Sequence, residues 1–128
     1  MSLAPLFSVA AGGALGSVAR HYAVLLAAQF FGAAFPFGTF FVNVVGSFLI
    51  GFLMEAVALR WNAPLEARAF MVTGFLGGFT TFSAFSFDVF KLAETGAWPT
   101  AFLYILGSVV LSIMAVFVAV YIARGVFG

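Results

Sequence analysis

Four stretches of this chain are each long and apolar enough to cross a lipid bilayer, and very little lies between them. A spanning helix needs about 20 mainly apolar residues, and the sequence offers them over residues 5–31, 37–59, 67–92 and 98–123. The intervals carry residues that end helices: Gly32 to Pro36, Arg60 to Glu66 with Pro64 inside it, and Ala93 to Ala97 just ahead of Pro99. None can house a soluble domain, and no internal repeat is evident. The expectation is an all-α membrane protein, a single four-helix transmembrane domain over residues 1–128.

Composition bears on the class of surface. Charged residues make up 7% of the chain and hydrophobic ones 65%, against about 25% charged in a soluble domain. Such a surface faces lipid. A net charge of +1 gives no electrostatic reason for a nucleic-acid partner. With no cysteine, disulfides and thiolate metal sites are excluded. One histidine and four acidic residues leave little for acid–base chemistry. No Ser-His-Asp set, metal cluster or nucleotide loop is present, so an enzyme is not expected. The stretch before Arg20 has no Lys or Arg and so lacks the basic start of a secretory signal. It is expected to stay as the first helix.

Trp61 and Trp98 fall at span ends, where interfacial aromatics belong. With four spans, Arg60, Arg68 and Arg124 share one face, against Lys91 and the part-way Arg20 on the other. That bias is slight. It fits insertion in both orientations as well as it fits a weak preference.

Polar groups inside hydrocarbon are costly, so their positions are informative. The third segment runs Thr73-Gly74-Phe75-Leu76-Gly77-Gly78-Phe79-Thr80-Thr81-Phe82-Ser83-Ala84-Phe85-Ser86. Adjacent glycines followed by β-branched threonines weaken a helix, and the expected break lies at Gly77-Gly78, just before Phe79. Non-helical backbone at this depth survives where it is buried or lines a cavity, and its freed carbonyls can coordinate a cation. Gly74 and Gly78 also form a small-xxx-small pair suited to close helix packing. Phe79, Phe82 and Phe85 recur every three residues, and ring edges are electropositive. With 19 phenylalanines in the chain, ordinary packing explains most of them.

Two further segments carry stripes. Thr39, Asn43 and Ser47 recur at i, i+4, i+8, as do Tyr104, Ser108 and Ser112, each set on one helical face. Asn43 offers two N–H donors and one acceptor. Either stripe can glue helices or line a pore; two on different helices favour a polar track. Arg20, beside His21, can draw anions to a pore mouth or snorkel to the interface. Glu55 and Asp88 lie about one turn from their span ends, within reach of water.

Taken together, Gly38-Thr39, Asn43-Val44-Val45-Gly46, the third-segment motif, and Gly16 followed four residues later by Arg20 closely resemble the Fluc family of fluoride channels, also called CrcB proteins. The resemblance covers essentially the whole chain. Ala84 stands where some relatives have a hydroxyl, which touches the polar lining and not the core motif. The resemblance implies an antiparallel, dual-topology homodimer with two fluoride pores at the subunit interface. It implies passive export of fluoride from the cytoplasm by a multi-pass protein of the inner (plasma) membrane. It also implies a structural sodium ion (Na+) at the dimer centre, held by the carbonyls of Gly77 and Thr80. Asn43, Phe82, Phe85, Ser83, Thr39, Tyr104, Ser108 and Ser112 map onto the fluoride pore, and Arg20 onto its mouth. Physics agrees that four helices are too few to enclose a pore alone. A small dual-topology drug/proton antiporter is the main competing reading, but its proton coupling wants a carboxylate deep in a span. A purely structural subunit leaves the broken helix and both stripes without a use.

Overall fold

The computed structural model describes residues 2–128 and is helical throughout its long segments. The first span is α1 (Ala4–Phe31), opened by Pro5 and closed by Gly32, whose φ of +80° is open to glycine and costly for other residues. Pro36 precedes the second span, α2 (Phe37–Leu59). The third span, Leu65–Glu94, is composite. It starts after Pro64 with α3 (Leu65–Arg68), widens into a π-helical stretch (Ala69–Leu76) and returns to α geometry in α4 (Gly77–Phe79). After an interruption it resumes as α5 (Phe82–Glu94). Gly96, at φ +81°, turns the chain into α6 (Trp98–Phe127), with Pro99 in its first turn.

All four spans have the length and composition to cross a bilayer, and α6 runs about one turn beyond its expected end. The third-span interruption falls at Thr80 and Thr81, not at the glycine pair. Leu76 and Gly77 keep right-handed helical angles, whereas Thr80 (φ −90°, ψ 157°) and Thr81 (φ −154°, ψ 120°) are extended. The expected site of the break is thus corrected by about one turn. β-Branched residues accept extended backbone readily, and the Thr81 hydroxyl caps α5 by accepting from the Ala84 N–H at 3.1 Å. The glycines serve a different purpose.

Lipid is as apolar as leucine, so spans associate by close approach of small residues. On α1, Gly12 meets Gly74 of the third span, Gly16 lies against the backbone of Phe75, and Gly13 and Ser17 lie against Gly78. A Cβ on Gly16 would strike the Phe75 carbonyl, and one on Gly78 would sit 2.6 Å from the Gly13 oxygen. Along α2 and α6, Gly51 lies against Val116 and Ala119. The aromatic core, Phe85, Leu92 and Tyr104 with Ala101, sits where α5 packs on α6. Large apolar side chains such as Phe7, Phe30, Leu103 and Phe117 point outwards, as a lipid-facing surface requires.

Candidate functional site

The interruption opens one wall of a groove of about 420 Å³ between α2, the third span and α6. From α2 come Asn43, Gly46 and Ser47; from the third span Gly77, Thr80, Thr81, Phe82 and Phe85; from α6 Ser108 and Ser112. Apolar side chains (Ile50, Val72, Leu76, Val109 and Ile113) complete it.

The bonding at its centre is specific. The Asn43 carboxamide bridges the extended backbone: Nδ2 donates to the Thr81 carbonyl at 3.0 Å, and the Thr81 N–H donates to Oδ1 at 2.7 Å. Oδ1 thereby takes the N–H that a continuous helix would have given to Gly77, and Nδ2 adds a donor to the carbonyl that, as the N-cap of α5, already begins the next helix. Ser47 donates to the Asn43 carbonyl at 2.7 Å, an ordinary turn-back bond. On the other side of the break, Arg20 Nε donates to the Gly78 carbonyl at 2.9 Å. Arg20 thus reaches inward from α1 and is not among the residues that line the groove.

Among the described residues, three carbonyls lose their helical donor without a replacement: Gly77, Phe79 and Thr80. In a continuous helix the Gly77 oxygen would accept from the Thr81 N–H and the Thr80 oxygen from the Ala84 N–H. Both donors are spent, on Asn43 and on the Thr81 hydroxyl. Carbonyl oxygens so released suit an alkali cation, and Gly77 is itself exposed on the groove. The donor set therefore fits a sodium ion.

The two stripes divide alike. Asn43, Ser47, Ser108 and Ser112 reach the groove, while the first member of each set, Thr39 and Tyr104, is buried in the protein. Tyr104 is 1% exposed and donates to Asp88 Oδ2 at 3.0 Å. Asp88 is half-exposed and is held by that bond. Glu55 pairs with the Arg124 guanidinium at 3.3 Å with its side chain only 18% exposed. Ser83 is exposed and off the groove wall, sharing a 3.3 Å hydrogen bond with the Thr81 hydroxyl. Phe82 and Phe85 line the groove with ring centroids 5.5 Å apart, whereas Phe79 stacks on Phe75 at 5.8 Å. Phe85 also leans on Tyr104 at 5.0 Å, and Phe35 meets that tyrosine edge-on.

One groove group has no partner at all. The Ser108 hydroxyl is buried without a hydrogen bond among the described residues. A buried, unpaired hydroxyl costs about 1–3 kcal/mol, so its position on a cavity wall calls for a ligand or water. Thr81 was not singled out as a site residue from the sequence. Its role depends on an asparagine 38 residues away, which no local pattern records.

The fold and groove define a polytopic membrane protein with a polar track beside a broken helix. Comparison with known proteins gives the family. The family profile described as CrcB-like protein, Camphor Resistance (CrcB), matches residues 7–120. A relative from Agrobacterium fabrum, named fluoride-specific ion channel FluC, is 53% identical over 119 residues, covering 93% of this chain and 95% of its own. Proteins of the same name from Nitrobacter winogradskyi (49% identical, 93% and 94% covered) and Rhizobium meliloti (53%, 91% and 93%) are similar throughout. The chain belongs to the CrcB family, a family of transporters and not of enzymes.

Proposed function

We propose that this protein is a fluoride channel, working as an antiparallel homodimer that lets fluoride leave the cytoplasm passively across the inner (plasma) membrane. The names of its relatives support the ion, and the unpartnered Ser108 hydroxyl on the groove wall is the structural observation that carries the reading. Ser108 and Ser112 offer neutral O–H donors on one wall. Asn43 keeps one Nδ2 hydrogen beyond its bond to Thr81. Phe82 and Phe85 face them with rings whose edges are electropositive. Neutral donors bind an anion weakly enough for it to leave again, which conduction requires.

In one protomer the groove is open on a side, and Phe82 is 76% exposed. A second copy, inverted in the membrane, closes it and forms two pores at the interface. The polar face of the third span, with Gly77, Thr80 and Ser83, then meets its counterpart away from lipid. Gly77 and Thr80 of each copy would hold the sodium ion, which when bound supplies a fixed positive charge where an anion in hydrocarbon needs one. The antiporter reading gains nothing from the structure: Glu55 is committed to Arg124 and Asp88 to Tyr104.

Purified protein in fluoride-loaded proteoliposomes is expected to release fluoride and to retain chloride. Equal release of both, or release only against a proton gradient, rejects the proposal. Cysteines placed in the loop between α1 and α2, and separately after Arg124, should each label from both membrane faces. Labelling confined to one face rejects the antiparallel dimer.

A further inference from the structure

We propose that Arg20 and Asn43 are positioning residues, a pair of clamps from α1 and α2 that determine which carbonyls of the broken third span remain open to a cation. The inference rests on the cation reading above for its purpose, but its geometry stands apart from it.

A helix interrupted in apolar surroundings releases a row of carbonyls, each costly if left bare. Here they are disposed of unequally. The Leu76 oxygen accepts from the Thr80 N–H at 3.0 Å and from the Thr80 hydroxyl at 2.9 Å. The Gly78 oxygen accepts from Arg20, and the Thr81 oxygen, which begins α5 as its N-cap, accepts from Asn43 as well. The helical donors of Gly77 and Thr80 are diverted, Phe79 likewise has no replacement donor among the described residues, and Gly77 and Thr80 lie on either side of the clamped Gly78 on the groove wall.

Neither clamp is local. Arg20 and Gly78 are 58 residues apart, and Asn43 and Thr81 are 38 apart. The clamps also pull from different sides, since Gly78 faces α1 while Thr80 packs on Gly46 of α2, where a Cβ would collide with its methyl. The shape of the break is thus imposed by the neighbouring helices within one protomer, before any ion or second copy is added. Chemistry suits each post. A carboxamide presents one donor and one acceptor side by side, matching a peptide's own pair. A guanidinium makes a charge-assisted bond that a mobile ammonium holds less well.

The test uses 15N-labelled full-length protein in detergent micelles, with sodium chloride titrated against N-methylglucamine chloride. Two quantities are read: hydrogen exchange at the Thr81 amide, and the sodium concentration at half-maximal thermal protection. Asn43→Ala is expected to speed Thr81 exchange by about tenfold or more, the effect of one lost hydrogen bond. It should also move the sodium midpoint upward by a similar factor. Asn43→Asp retains the acceptor and loses the donor, so the Thr81 amide stays protected while the sodium midpoint still moves. Arg20→Ala should leave Thr81 exchange alone and shift the midpoint, with partial rescue in Arg20→Lys. Gln29→Ala, on the outer face of α1, should change neither. If Asn43→Ala does not fold, Asn43→Asp carries the test. Unaltered Thr81 exchange in Asn43→Ala, or a sodium midpoint unmoved by all the clamp variants, overturns the proposal. Absence of any sodium effect in the parent protein removes the cation reading instead, and Thr81 exchange still decides the Asn43 clamp.

Discussion

The two faces of the third span make opposite demands on glycine. On the α1 side, Gly74 and Gly78 lie against backbone, and any Cβ there would meet carbonyls or Cα atoms within about 3 Å. On the groove side, Gly77 has ordinary helical angles, and its nearest obstacle is the Val72 oxygen at 3.8 Å. The first pair is required by the fold of a single protomer. Gly77 is not. Adjacent glycines in one motif thus differ in their surroundings, close packing on one face and open space on the other.

The largest effect that tests this contrast is Gly78→Ala. Its methyl would press on the Gly13 oxygen and Ser17, all backbone or short side chain. Folded protein recovered by size exclusion in detergent should fall to a small fraction of the parent's. Gly77→Ala should give full recovery and impaired sodium-dependent protection. Equal yields for the two variants would erase the distinction between the faces.

Next come the rings on the groove side. Phe82→Ile and Phe85→Ile remove an electropositive edge and keep an apolar side chain, so fluoride flux should fall by more than about tenfold. Loss of folded protein should not account for it. Phe52→Ile, at a ring that packs against Phe127 away from the groove, should have little effect on flux. Parent-like conduction in both groove variants would make these rings ordinary packing.

Ser108→Ala should lower flux by about tenfold, the worth of one hydrogen bond, yet leave stability unchanged or slightly raised, because the hydroxyl has no partner among the described residues. A marked loss of stability would mean that the hydroxyl is bonded after all. The smallest effect is expected far from both faces. Glu55→Gln breaks a pair whose arginine is 67% exposed, and such pairs contribute about 0–1 kcal/mol. Flux and thermal midpoint should stay close to the parent's.

Much of this was legible in the residues. Spans emerged from length and hydropathy because a bilayer demands about 20 apolar residues whatever the neighbours do. Stripe spacing put Asn43 and Ser47 on one face of α2, and Ser108 and Ser112 on one face of α6. It did not show that the stripes dive into protein at Thr39 and Tyr104, since periodicity gives a face and not its depth. Nor did it show the bond from Arg20 to Gly78, since the two residues are 58 apart in the chain. Glycine propensity put the break about one turn too early, because propensity cannot register that α1 holds the glycines helical.

By itself the sequence determined that this is a four-span membrane protein, weakened in its third span and marked by polar groups at membrane depth. These follow from local chemistry: apolar length, helix-breaking residues and repeat spacing. Only the tertiary structure decided where the break falls, which carbonyls it frees, and which serine is left without a partner. Those outcomes depend on donors from α1 and α2, tens of residues away, reaching one short stretch of backbone. Competition for hydrogen bonds in a water-poor interior is settled by which groups meet in space, and spacing along the chain does not encode that.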